Sequence, residues 1–171
     1  MAIEILKLVL PSFFVFLAGF LATERLLRAE SNRRKAELSA DRQKISTPIR
    51  LQAYERIVLF LERISPESSL VRVNQPNLTA KKLQANLLTG IRTEWEHNLS
   101  QQLYMSNKAW SIVKNAKENV IKLINTCSEK VEPNQPAILL SKLILETLVE
   151  LEEHPTNKAI EFLKKEVNEL F

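Results

Sequence analysis

The chain has 171 residues, of which 45% are hydrophobic and 26% charged, with two glycines, seven prolines, one cysteine and a formal net charge of +4. That length is enough for one domain with a real core. Two glycines exclude the glycine-rich phosphate cradles and argue against a turn-rich sheet fold, and a single cysteine excludes an internal disulfide framework.

The first element is apolar. Leu8–Thr23 is an uncharged run, with Ile3, Ile5 and Leu6 upstream and Pro11 in its first turns. It is short against the ~20 apolar residues of a spanning helix, but flanking Lys7, Glu24 and Arg25 can extend it by reaching toward headgroups. The reading favours a transmembrane anchor over 1–23. A cleaved signal peptide fits less well, because Glu4 offsets Lys7 and Phe20 and Leu21 interrupt the small residues a cleavage site needs.

A basic stretch follows. Residues 24–50 hold eight bases against Glu24, Glu30, Glu37 and Asp41, and so carry the whole net excess; residues 51–171 are balanced. Basic residues stay on the cytoplasmic side of a span. The expectation is therefore a single-pass protein of the cytoplasmic (inner) membrane, its N-terminus outside and its C-terminal domain cytoplasmic. Arg25, Arg28, Arg33, Arg34 and Lys35 are the candidate membrane-surface residues, attracted to anionic lipid. A lone thiol, Cys127, suits a reducing compartment.

Residues 24–47 lack Gly and Pro and predict a basic helical stalk that continues the anchor. Leu27, Leu38 and Ile45 make a stripe too sparse for a coiled coil. Thr47-Pro48 predicts a break or bend. Over 49–64, Leu51, Tyr54, Ile57, Val58, Leu61 and Ile64 follow the period of a helix with one buried face, which Leu59 and Phe60 widen. Ser65-Pro66 stops that helix, and 65–78 read as a loop with Leu70-Val71-Arg72-Val73 extended against the bundle. Thr79 caps a helix over 80–103, Ser106 caps another over 107–129, a turn follows at 132–136, a Leu-rich helix covers 137–153, and Thr156 caps a last short helix. The fold class is all-α: an N-terminal transmembrane helix, a polar stalk, then a four- to five-helix bundle over 48–171.

The stretches Leu51–Ile64 and Glu96–Tyr104 resemble an uncharacterised bacterial family of small single-span membrane proteins with a helical cytoplasmic domain. The resemblance implies the same architecture and brings no activity, cofactor or catalytic residue.

Chemistry is sparse. Glu94 and His97 form a Glu-x-x-His pair, whose members share one helix face and could ligate one ion. The other histidine, His154, has Leu151 three residues before it, so a second half-site is missing. Glu94 and His97 stay weak metal candidates beside the reading that they are polar neighbours of Trp95. Cys127 lies on the apolar stripe of Val120 and Ile124 and reads as a buried hydrophobe. Asn98, Gln101, Gln102, Tyr104 and Asn107 form an amide-rich patch suited to pinning a helix crossing or to recognising a partner.

The sequence therefore predicts no catalytic residue, no cofactor and no resident metal. It predicts a non-enzymatic interaction or scaffold protein. Its expected partners are membrane lipid and an unidentified protein or second copy of the chain, with no nucleic acid, since no basic face interleaved with aromatics occurs beyond residue 50. The alternatives are a metal- or small-molecule-binding bundle enzyme, or an accessory subunit of a larger membrane complex.

Overall fold

The computed structural model describes residues 2–73, 75 and 77–170, with the side chains of 2–13, 15, 18, 22, 36 and 39–42 outside the described set. Among the described residues the protein is all-helical and holds no strand. The elements are α1 (Ala2–Ile64), α2 (Pro66–Val73), α3 (Ala80–Asn98), a 3-10 turn (Leu99–Leu103), α4 (Asn107–Ser128), α5 (Ala137–Glu150) and α6 (Pro155–Leu170). The chain divides into two compact units, Met1–Ser46 and Thr47–Phe171, and α1 contributes residues to both.

The first unit is helix supported along its own surface. Arg28 pairs with Glu24, Arg33 with Glu37 at 2.9 Å and Arg34 with Glu30 at 3.1 Å, each one turn apart. Leu26, Leu27, Leu38 and Ile45 are exposed. A sparse stripe cannot build a core, so local ion pairs and helix propensity carry the segment.

The membrane assignment is corrected here. Among the described residues no helix is long and apolar enough to cross a membrane, which overturns the transmembrane anchor, the single-pass inner-membrane placement and the orientation derived from it. The uncharged run stops at Glu24 and Arg25. Lengthening it to about twenty residues brings in Glu4 and Lys7 on one side or Glu24 and Arg25 on the other. Glu24 is tied to Arg28, and Thr23 Oγ1 donates to the Gly19 carbonyl at 2.8 Å. Most side chains of the run, Leu8–Phe13, Val15, Ala18 and Ala22, lie outside the described residues.

The second unit has a continuous core. Tyr54, Ile57, Phe60, Leu61 and Ile64 of α1 meet Leu83, Leu87 and Ile91 of α3, Val113, Val120 and Ile124 of α4, Leu140 and Ile144 of α5, and Ile160 and Leu163 of α6. These are the i, i+3, i+4 positions of each helix, so the apolar period places them together. Phe60 contacts Trp95 at 5.6 Å between ring centres, Trp95 stacks on Trp110 at 4.8 Å, and Lys117 Nζ sits 4.5 Å above the Trp95 ring. This column joins α1, α3 and α4 by aromatic and cation–π contacts.

Capping sets the boundaries. Thr79 Oγ1 accepts from Lys82 N at 3.3 Å, and Ser106 Oγ accepts from Ala109 N at 3.0 Å. The N-termini of α3 and α5 clasp each other: Ala80 N donates to the Gln135 carbonyl at 2.8 Å, and Ala137 N to the Leu78 carbonyl at 2.9 Å. That exchange satisfies helix-end donors without side chains. Asn77 enters the clasp at φ 65°, a left-handed conformation Asn tolerates.

Four local expectations are corrected. Residues 66–73 form helix α2, not a loop with an extended strip: Pro66 has the φ and missing donor that suit a first turn, and Ser65 Oγ accepts from Ser68 N at 3.3 Å. Leu70 is buried while Val71 is 82% exposed, so the apparent alternation was two faces of a helix. Residues on both sides of Pro48 are helical, so of the break or bend expected at Thr47-Pro48 it is the break that is overturned; the proline removes the donor to the Lys44 carbonyl and lies within a turn of the division between units. The helix expected over 80–103 gives way after Asn98 to the 3-10 turn. Finally, α6 opens at Pro155, and Thr156 is buried within its first turn rather than capping it.

Candidate functional site

The bundle surface has two adjoining depressions that share Leu59. The first is a groove of about 480 Å³ between α1 and α6, lined by Leu51, Tyr54, Glu55, Val58, Leu59, Leu163, Lys164, Val167 and Asn168. Its walls are two helix ridges: 51, 54, 55, 58 and 59 recur at helical spacing on α1, as do 163, 164, 167 and 168 on α6. Leu51 and Leu59 stand 46% and 55% exposed on its rim. Glu55, Lys164 and Asn168 are the polar residues of the lining, so the groove is apolar within a mixed-charge border.

Tyr54 lies against this groove and is only 1% exposed. Among the described residues neither its hydroxyl nor Glu166 Oε2, both buried, makes a well-formed hydrogen bond, although the Ser106 backbone and the Glu166 side chain lie close enough to act on the phenol. Burial pushes the Tyr54 phenol above its ordinary range; the Ser106 backbone lowers it, the nearby Glu166 carboxylate raises it, and Arg50 lowers it. Arg50 Nε donates to the Tyr104 carbonyl at 3.2 Å, tying α1 to the turn that leads into α4.

The second depression is a cleft of about 240 Å³ between α1 and α3, lined by Arg56, Leu59, Phe60, Arg63, Glu94, His97 and Asn98. Arg63 Nε lies 3.2 Å from Glu94 Oε1, and Arg72 Nη1 of α2 lies 3.8 Å from the same oxygen. Arg72 Nη2 also donates to the Arg63 carbonyl at 2.6 Å. Glu94 is largely buried, whereas Arg63 and Arg72 reach solvent.

These contacts decide how the candidate residues behave. Glu94 and His97 do share one cleft, as their spacing implies, but the Glu94 carboxylate already faces two guanidinium groups, which oppose a metal cation at the same oxygen. Among the described residues no group of three or more His, Cys, Asp or Glu could hold a metal ion. Arg25, Arg28, Arg33, Arg34 and Lys35 are all exposed in the first unit, and three of them are paired with glutamates. Cys127 is buried, with Sγ 3.5 Å from Thr147 Oγ1 and 3.9 Å from the Leu143 carbonyl. The amide-rich patch bonds locally: Asn98 Nδ2 donates to the Glu94 carbonyl at 2.8 Å, and Gln101 Nε2 to Ser100 Oγ at 3.4 Å. The bond from this region to another helix is made by the Tyr104 backbone.

The α1–α6 groove was not singled out from the sequence. Its signal lies in Leu51, which the helical period assigns to the buried stripe of α1, and Leu59, which widens that stripe; both are exposed on the groove rim instead.

An all-helical bundle with an apolar groove beside a basic cleft is the class of protein these features define. The chain belongs to a family of unknown function, DUF7935, which matches residues 1–170. No curated protein and no solved structure matches it.

Proposed function

We propose that the bundle is a non-enzymatic docking module that seats an apolar helical segment of a protein partner in the α1–α6 groove. The observation that carries this reading is the groove itself. Side chains of two helices, Leu51, Val58, Leu59, Leu163 and Val167, line an open apolar groove, a surface of the kind that takes the apolar face of an amphipathic helix. Leu51 and Leu59 are exposed in the unbound protein, and covering such area supplies about 25 cal/mol per Å² before ordering costs. Glu55, Lys164 and Asn168 on the border would set register and orientation.

The test is affinity purification of the full chain from its native cells, with three baits compared. The wild type and Val71→Glu should retain the same dominant protein, since Val71 lies on α2 away from the groove lining. The double variant Leu51→Glu/Leu59→Glu should lose it while keeping the wild-type circular dichroism spectrum. A partner spectrum unchanged by the groove substitutions overturns the reading.

A further inference from the structure

The cleft beside the groove has a chemistry of its own. Three guanidinium groups, Arg56, Arg63 and Arg72, converge from α1 and α2 on a region whose one lining carboxylate is Glu94. Arg63 Nε lies 3.2 Å from that carboxylate, and Arg72 is held in place by the Arg63 carbonyl. Arg56 and His97 line the same cleft, and among the described residues neither has a hydrogen-bond or ion-pair partner. Leu59 and Phe60 form the apolar wall of the cleft.

We propose that this α1–α3 cleft is a binding site for an oxyanion, a carboxylate or phosphate group, held by Arg56, Arg63 and His97 with Arg72 behind them. Guanidinium forks match such anions two oxygens at a time, and the guanidinium residues Arg56 and Arg63 both line the cleft. A cleft of about 240 Å³ fits an anionic group or a small acid rather than a larger organic ligand. Glu94 is the built-in competitor. It holds Arg63 in position when the cleft is empty, and an entering anion shares that cation while Arg72 keeps Glu94 neutralised. The site does not depend on the groove being a docking surface.

Titration of isotope-labelled full-length protein with inorganic phosphate, and separately with succinate, tests this by NMR of the arginine side-chain and histidine resonances. Sodium chloride at matched ionic strength is the control. Saturable shifts at Arg56, Arg63 and His97 with one shared Kd are expected in at least one arm, and the tighter arm assigns phosphate or carboxylate as the ligand class. Arg56→Gln, an exposed change, should weaken binding about fivefold by removing one charged hydrogen-bonding partner. Glu94→Gln should tighten it by a similar factor, because the internal competitor is gone. Uniform drift across all basic residues in both arms, or Glu94→Gln leaving the Kd unchanged, overturns the proposal.

Discussion

Leucines and isoleucines of one helix have opposite fates in the two units. Before Ser46, Leu27, Leu38 and Ile45 are each at least 60% exposed; after Thr47, Ile57, Leu61 and Ile64 are at most 1% exposed. Helix propensity is good in both stretches, so it does not distinguish them. Density of the apolar stripe does. Three apolar residues spaced eleven and seven apart cannot form a continuous face, whereas six within sixteen positions can. The first stretch is held by short-range Glu–Arg pairs, and the second by a core shared with the other helices of the bundle.

The largest effect that sharpens this contrast is core truncation. Leu61→Ala should cost about 2–5 kcal/mol in urea unfolding, while Leu38→Ala should stay within about 0.5 kcal/mol. Equal losses at the two sites would break the distinction between the units.

Tyr54 is a different case inside the same core. Its hydroxyl is buried and makes no well-formed bond, with the Ser106 backbone and the Glu166 side chain beside it, so Tyr54→Phe should change stability by no more than about 1 kcal/mol. The pH dependence has a definite sign. Because the folded state holds the phenolic proton more tightly than the unfolded chain does, the Tyr54 contribution is full below the ordinary tyrosine pKa near 10. It falls as pH rises above that value through the higher folded-state pKa. Unfolding curves collected across that alkaline range should show the added loss in the wild type and not in Tyr54→Phe.

Cap removal comes next. Thr79→Ala or Ser106→Ala should each cost about 1 kcal/mol, read from the same unfolding experiment, because each leaves one helix-end donor without its side-chain acceptor. The smallest effect belongs to the first unit. Arg33→Ala should reduce far-ultraviolet helicity slightly and change stability by no more than about 0.5 kcal/mol, the usual size of an exposed one-turn ion pair.

Much of the second unit was legible because its helices carry dense apolar periods and local caps. Thr79 and Ser106 could be recognised from the residues that follow them, and the core positions of α3, α4 and α5 from their spacing. Where two local signals conflicted, the reading failed. Leu70-Val71-Arg72-Val73 alternates like a strand, but Ser65-Pro66 upstream starts a helix, and the start signal prevails once Leu70 finds the core. Leu8–Thr23 is apolar enough to suggest a membrane span, yet the charges that bound it leave it short.

The candidate sites were harder to read because they are relations between helices far apart in sequence. Nothing local pairs Leu59 with Val167, or Arg63 and Arg72 with Glu94. The Glu94–His97 spacing was visible, but the two arginines that change its meaning from metal ligand to anion-cleft wall come from other helices. Leu51 and Leu59 were visible too, and only the position of α6 distinguishes a groove rim from a core residue.

The most direct test places a photo-crosslinking residue at Leu59 in one full-length protein and at Leu27 in another, both exposed leucines of the same helix. Irradiation in native cells should yield one discrete adduct from position 59 and none of comparable yield from position 27. Equal adducts at both positions, or none at position 59, would contradict the assignment of the groove as the docking surface.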